Sequence, residues 1–537
     1  MISALKERPL PVVPNAHADR ARPDRGVVAV LLAGTFMAVL DFFVVNLAIP
    51  TMQRELGASP SQIQFIVAGY ALAYGSALIV GSRLGDIHGR RRIYALGLAL
   101  FTLASAACGL APSAGLVVAA RIAQGLAAAL LSPQVLSILG SIYEGDAKAR
   151  ALNAYGVVMG LASVFGQVIG GLLMHVDAFG WGWRACFLIN VPVGLLALAC
   201  VSRVVPESRT PRRPGLDLAG MMLVSLALLA TIFPLIEGRE LGWPSWSWLC
   251  FGLAALLFVA FAWYEIRMRA RGGLPLLDFG LFTDRVFSVG LLAQLTFYMS
   301  MAGFYLVLAL YLQEGRGLSA LGAALIFCVN GLGYMASANI ARHVTARIGR
   351  QTIALAGALR AVGLGMLLWT VVTITDGGSA LWLLPGLLVN GVGTGFAVAP
   401  LTTNVLAQMS PQHTGAASGA LTTGLQVGNA IGVAVVGVIF FESLSHDASA
   451  SYAHAFAWSL TYLIGLSLAL AALVQWLPGS RQNDEIGLCR RWRANLADRR
   501  ALAHLDQRTC HDVGISPAMV DYELRQPFWQ PVRNLRD

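Results

Sequence analysis

Charge is what this chain of 537 residues has least of: 12% of its residues are Asp, Glu, Lys or Arg, against 56% hydrophobic. Soluble globular proteins carry about 25% charged residues, so a string of water-soluble domains is excluded. A disordered chain is excluded too, since it needs low hydrophobicity and much charge. Lysine is nearly absent. Lys6 and Lys148 are the only two and neither follows a G-x-x-x-x-G stretch, which removes the phosphate cradle of a nucleotide-driven pump. The seven cysteines, at 108, 186, 200, 250, 328, 489 and 510, form no C-x-x-C pair. Neither a disulfide framework nor a zinc site is expected from them. No H-E-x-x-H and no G-x-S-x-G occurs, and Gly391-Val-Gly393-Thr-Gly395 lies inside an apolar run, where it reads as helix packing. Enzymatic chemistry and a bound cofactor are both left without a motif.

Long apolar runs take the place of those motifs. No charged residue stands between Arg92 and Arg121, nor between Arg150 and Asp177, and a helix needs about 20 apolar residues to cross a bilayer. Fourteen spans follow: 27–49, 61–80, 93–111, 115–137, 151–174, 185–202, 217–236, 246–264, 287–311, 319–341, 352–373, 380–405, 416–440 and 454–476. The N-terminal segment and the loops after spans 2, 4, 6, 8 and 10 hold 22 basic residues, whereas the opposite loops hold only Arg54, Arg184, Arg239 and Arg316. Basic loops stay cytoplasmic, so both termini are expected there. Trp181, Trp183, Trp243, Trp246 and Trp248 gather at the outer ends as an aromatic belt would. The net charge of +10 is thus an orientation signal, and nucleic acid remains a partner only for the tail.

The loop Arg83-Leu-Gly-Asp86-Ile-His-Gly89-Arg90-Arg91-Arg92 is echoed after span 10 by His343-Val-Thr-Ala-Arg347-Ile-Gly349-Arg350, without the Asp. Internal duplication of this kind is a transporter signature. Four motifs carry a closer likeness. Leu40-Asp41-Phe-Phe-Val-Val-Asn46-Leu-Ala-Ile-Pro50 stands in span 1, and the Asp86/Gly89/Arg90/Arg91 loop follows span 2. Arg121-Ile-Ala-Gln124-Gly125 lies in span 4, and Trp181-Gly-Trp183-Arg184-Ala-Cys-Phe187-Leu-Ile-Asn190-Val-Pro192-Val-Gly194 leads into span 6. In these residues the chain resembles the major facilitator superfamily, specifically its fourteen-span drug:proton antiporters (the EmrB/QacA type), over about residues 25–476. Ser82 and Ile87 depart from the usual loop motif. In span 5, Gly166-Gln167-Val-Ile-Gly170-Gly171 lacks the proline of the exporters' Gly-Pro-x-x-Gly-Gly, which leaves the direction of transport open.

The resemblance implies an all-α polytopic membrane protein with the major facilitator fold, two six-helix bundles plus two inserted helices. The expected division is a cytoplasmic segment at 1–26, bundles at 27–202 and 286–476, an inserted helix pair with its loops at 203–285, and a cytoplasmic arginine-rich tail at 477–537. The implied function is proton-coupled efflux of small hydrophobic or amphipathic compounds by alternating access, in a bacterial inner membrane. A proton-coupled importer on the same fold, or a non-transporting sensor acting through the tail, are the alternatives. Small-molecule substrate, protons and lipid are the expected partners, with a periplasmic adaptor protein a further candidate. Leu505-Asp506-Gln-Arg508-Thr-Cys-His-Asp512-Val-Gly514-Ile515 followed by Pro527-Phe528-Trp529 resembles a small arginine-rich bacterial domain of the YjiS-like type.

Asp41 and Arg121 are the residues expected to couple protons to conformation. A charged Asp at a helix centre costs about 2.5–3.5 kcal/mol, and the two lie roughly 13 Å and 9 Å deep at 1.5 Å per residue. On the implied fold spans 1 and 4 adjoin, so the pair can meet; a static brace is the alternative. Asp86, with Gly89, Arg90 and Arg91, is the expected cytoplasmic gate, in which Asp86 bonds a neighbouring helix end. Arg360 sits about 15 Å from Arg350 along its helix, and either snorkels to the interface or faces a central cavity. Gln124, Arg360, Asn390 and Gln426 are the candidate cavity residues. With one acidic and two basic groups in the membrane, an anionic or amphipathic substrate is favoured over a purely cationic one. The pairs Gly156/Gly160, Gly166/Gly170, Gly415/Gly419, Gly424/Gly428 and Gly428/Gly432 have the spacing that lets helices approach closely.

Overall fold

The computed structural model describes residues 25–177, 180–208, 217–273, 275–374, 378–409, 414–445 and 451–477, with a few isolated positions of the tail. The tail's YjiS-like stretch and residues 1–24 lie outside the described residues. Among the described residues fourteen helices are long and apolar enough to cross a membrane. The first seven are α1 (Arg25–Leu56), α2 (Pro60–His88), α3 (Arg90–Gly109), α4 (Ala114–Ile142), α5 (Gly145–Val176), α6 (Gly182–Val204) and α7 (Leu218–Glu240). The second seven are α8 (Ser245–Ala270), α9 (Arg285–Gly315), α10 (Ala320–Ile348), α11 (Gln351–Thr373), α12 (Ala380–Leu406), α13 (Ala416–Leu444) and α14 (Tyr452–Trp476).

In lipid each backbone N–H and C=O must find its partner within the chain, and a helix satisfies them locally. Residues at the helix starts take care of the first orphaned donors. Ser59 accepts from the Gln62 backbone N–H while Gln62 Oε1 accepts from the Ser59 N–H, a complete capping box ahead of Pro60. Ser113, Ser319 and Ser451 cap α4, α10 and α14 in the simpler way. Several helices overrun the apolar stretches, α1 to Leu56 and α5 from Gly145, because helical pairing continues past the hydrocarbon edge.

The packing repeats. In the first half α1 lies along α5 and α6, α3 along α4 and α6, and α2 along α4; in the second half the same five pairs recur eight helices later. The halves join where α2 meets α13 and α5 meets α10. The inserted α7 lies on α2 and α13, and α8 packs on α7, leaving Leu249, Leu253, Leu256 and Val259 exposed.

The two ends of the molecule differ. At the arginine-poor end, Arg54 pairs with Glu314 at 3.6 Å and Gln313 donates to the Leu47 carbonyl at 3.1 Å, tying α1 to α9. One apolar cluster there runs through both halves, from Val44, Leu47 and Ile49 to Leu306, Leu308 and Leu310. At the arginine-rich end each half keeps a cluster of its own, one around Leu98, Leu131 and Leu139 and the other around Phe287, Leu401 and Leu421. The glycines follow this asymmetry. Gly166 abuts Leu40 and Phe43, Gly171 abuts Ala324, and Gly428 and Gly432 abut Leu295 and Met299. Gly156, read from its spacing as a close contact, is instead exposed and faces open space.

Candidate functional site

Asp41, at mid-length of α1, is fully buried, and so is Arg121 of α4. They meet: Arg121 Nη1 donates to Asp41 Oδ2 at 2.5 Å. Two further side chains serve the carboxylate. Gln124 Nε2 donates to Asp41 Oδ1 at 2.8 Å, and Asn190 Nδ2 donates to the same oxygen at 3.1 Å. Arg121 also donates through Nε to the Ile66 carbonyl and through Nη1 to Gln124 Oε1, and its guanidinium lies 4.2 Å from the Tyr70 ring centroid. Burying two charges is repaid only where geometry is close and remaining polar atoms are satisfied; Gln124, Asn190 and Ser105 behind them do this for the carboxylate, while Arg121 Nη2 is buried without a hydrogen-bond acceptor.

The loop between α2 and α3 is built on Gly89, whose φ of 109° suits glycine alone and which lies against the Glu207 carboxylate. Asp86 pairs with Arg90 at 2.8 Å. Arg90 also reaches a neighbouring helix end, donating to the Ser137 carbonyl near the end of α4. Glu207, which sequence reasoning missed, ties the loop to the end of α6, accepting from the Arg91 backbone N–H at 3.0 Å and lying 3.8 Å from both Arg91 and Arg92.

Arg360 does not snorkel. It is buried, donating from Nη1 to Thr394 Oγ1 at 2.6 Å and from Nη2 to Ser300 Oγ at 2.8 Å, with the Phe297 ring beneath it at 5.1 Å. Beside it Asn390 donates to Asn330, and Asn330 donates to the Tyr305 hydroxyl.

Between the halves lies a cavity of about 220 Å³. Six tyrosines line it: Tyr70, Tyr74 and Tyr155 from the first half, Tyr298, Tyr305 and Tyr334 from the second. Of the four expected cavity residues only Gln426 is on its wall. Gln124 is committed to Asp41, while Arg360 and Asn390 stand one layer back behind Thr394 and Tyr305, which do line it. None of the described lining residues is Asp, Glu, Lys or Arg. The positive charge counted toward an anionic substrate is therefore off the wall. Tyr70 is the link between the two features, with one face in the cavity and Arg121 against its ring. A tyrosine in an apolar span gives no sequence signal of such a role, and the sequence does not set the six lining ones apart from the rest of its 13.

The chain matches the Major Facilitator Superfamily over residues 31–433 and again over 292–486. It is 39% identical to the probable actinorhodin transporter of Streptomyces coelicolor over 428 residues, 79% of this chain and 74% of that protein. It is 33% identical to the puromycin resistance protein of Streptomyces alboniger, covering 86% and 93% of the two chains, and 32% identical to the cephamycin export protein of Amycolatopsis lactamdurans, covering 87% and 96%. Among solved structures, a POT family transporter in complex with 5-aminolevulinic acid superposes with a TM-score of 0.60 at 16% identity, over 84% of this chain and 96% of that one, a likeness of fold alone. The spans, the duplicated packing and these matches together place the chain in the Major Facilitator Superfamily, as a multi-pass membrane transporter and not an enzyme.

Proposed function

We propose that the protein is a drug:proton antiporter of the fourteen-span type, exporting flat, hydrophobic or amphipathic aromatic compounds without positive charge from a bacterial cytoplasm. The observation that carries this reading is the fully buried Asp41–Arg121 pair, separated from the cavity by the single ring of Tyr70. A proton arriving at Asp41 cancels its charge and frees Arg121, and the rearrangement reaches the cavity through Tyr70. A substrate seated against Tyr70 acts on the same pair from the other side. The tyrosine wall offers ring faces and hydroxyls, and it offers no carboxylate to a cation. Relatives named for transport or export of actinorhodin and cephamycin, and for puromycin resistance, support export as the direction.

The arginine-rich end is the cytoplasmic one in this reading, with both termini on that side of the inner membrane. The bundles fall at 27–202 and 286–476 with 203–285 between them, and the tail is an added module. The cavity parts the halves toward the cytoplasm, the state that loads substrate. Asp86, Gly89, Arg90 and Arg91 form the gate loop, which reseats on the ends of α4 and α6 as the halves rock. One proton crossing about 100 mV gains about 2.3 kcal/mol and one pH unit adds about 1.4, enough for roughly a few hundredfold gradient of a neutral substrate.

The test is substrate-dependent proton release from acidified inverted vesicles, with uptake by whole cells run in parallel. Export predicts dissipation of the pH gradient when an aromatic substrate is added, its abolition by Asp41→Asn, and partial retention by Asp41→Glu. Accumulation in whole cells driven by the proton gradient would establish import instead.

A further inference from the structure

The inserted pair carries a polar site of its own, far from Asp41 in the sequence. Asp217, just ahead of α7, and Glu265, in the last turns of α8, are 2% and 1% exposed. Asp217 Oδ1 caps α7 by accepting from the Gly220 N–H at 2.8 Å, and its Oδ2 accepts from the Leu276 N–H at 3.3 Å. Glu265 Oε2 accepts from the neighbouring Leu277 N–H at 3.3 Å. The two carboxylates thus hold one short segment of the α8–α9 connector from opposite sides.

The other Glu265 oxygen, Oε1, faces the Asp217 oxygen that also accepts from Leu276. A methyl group placed on Gly220 would touch both Asp217 Oδ2 and Glu265 Oε1, so the oxygens lie within about 5 Å, close enough that two buried carboxylates do not both ionise. Glu265 Oε1 is buried with no hydrogen-bond donor directed at it. Charge leads to the same point. Arg83 of α2 is the basic group in electrostatic reach of both acids, and it donates to the Pro275 carbonyl in the same connector. Tyr264 of α8 faces Asp217. Asp278 of the connector is paired with Arg269 of α8. Among the described residues one guanidinium faces the two carboxylates, and that balance closes when one proton is held between them.

We propose that Asp217 and Glu265 form a second proton-binding site, with one proton shared between Glu265 Oε1 and Asp217 Oδ2. The site latches the connector and the inserted pair onto α2, beside the gate loop. When the proton leaves to the arginine-rich face, the two carboxylates repel, and the Leu276 and Leu277 anchors loosen together. Leu276 packs with Val80 of α2 and Phe261 of α8 in a small apolar cluster of its own, so the loosening is felt directly by the helix that carries Asp86. This site stands whether the transporter exports or imports.

The test uses the full-length protein in detergent, by infrared difference spectroscopy and thermal unfolding across pH. At neutral pH the wild type minus Glu265→Gln spectrum should show a protonated-carboxyl C=O band that shifts in D2O and vanishes as pH rises. Sign follows from linkage: a proton held by the folded state but not the unfolded one stabilises below the site's titration and is lost above it. The wild-type unfolding temperature should therefore drop as the band disappears, and Glu265→Gln, which carries a permanent donor there, should flatten that drop. Asp217→Asn keeps an N-cap oxygen and should lose the band as well, which guards against a folding artefact in one variant. A folded Glu265→Gln whose difference spectrum has no such band overturns the proposal. So does a wild-type stability at this site that follows added sodium rather than pH.

Discussion

Asp41→Asn and Arg121→Gln are near-isosteric, yet their consequences should be unequal. Asp41→Asn leaves the Arg121 guanidinium at zero exposure with no counter-charge, and an arginine cannot shed its proton to escape. Breaking a buried pair from this side costs about 3–5 kcal/mol, a large part of the 5–15 kcal/mol that typically holds a folded domain together. Arg121→Gln leaves Asp41 instead, and a stranded carboxyl simply takes a proton, so its loss should be the smaller. The double variant removes both charges while keeping the amide contacts among positions 41, 124 and 190, and should recover most of the stability lost by Asp41→Asn. Thermal unfolding of the four purified proteins gives the cycle, and proton flux in proteoliposomes gives the function. Arg121→Gln and the double variant should both move substrate without proton coupling. If Asp41→Asn melts with the wild type and still drives transport from a proton gradient, the pair is neither a brace nor a coupling element and the reasoning fails. If the double variant is merely the sum of the two single losses, the side chains do not depend on one another.

A methyl at Gly81 would run into the Ala129 backbone of α4, whereas one at Gly156 meets nothing. Gly81→Ala should therefore cost about 1–3 kcal/mol as overpacking and lower the yield of folded protein in detergent chromatography, while Gly156→Ala should match the wild type. Arg360→Gln removes the positive charge behind Thr394 and keeps a donor for Ser300 or Thr394. It should extend the exported set toward cationic aromatic compounds, read as resistance to cationic dyes in cells expressing the variant. An unchanged substrate range would show that the charge is not felt in the cavity.

The spans and the Asp41–Arg121 pair were legible because lipid makes charge conspicuous. Asp41 and Arg121 interrupt apolar runs, and nothing but a partner or a proton explains them there. The same logic could not sort Gln124, Asn390 and Gln426 from one another, because their helices are apolar on nearly every side. Without a polar stripe to set the rotation, only three-dimensional packing distinguishes a residue on the cavity wall, such as Gln426, from one a layer behind it, such as Asn390. Glu207, Asp217 and Glu265 were hidden for the opposite reason. Each stands near a span end on the arginine-rich side, where charges are common, so half-buried Glu207 and buried Asp217 and Glu265 all read as ordinary interfacial carboxylates.

That difference in visibility follows from the physics of the fold. A charge at mid-membrane is costly in every conformation, so it must be paired locally, and α1 and α4 within one half supply the pair. Charges at the arginine-rich face can stay solvated in one state and be buried in another, so their burial in this state is information about the state as well as about the sequence. Glu207 closes on the Arg91–Arg92 turn, and Asp217 and Glu265 close on the α8–α9 connector, at the same arginine-rich end. With the arginine-poor end sealed across the halves by Arg54–Glu314 and the shared apolar cluster, rocking that opens that end must bring the arginine-rich ends of the halves together. The contacts that each half makes there, within itself, are therefore the ones most exposed to change when the cavity turns over.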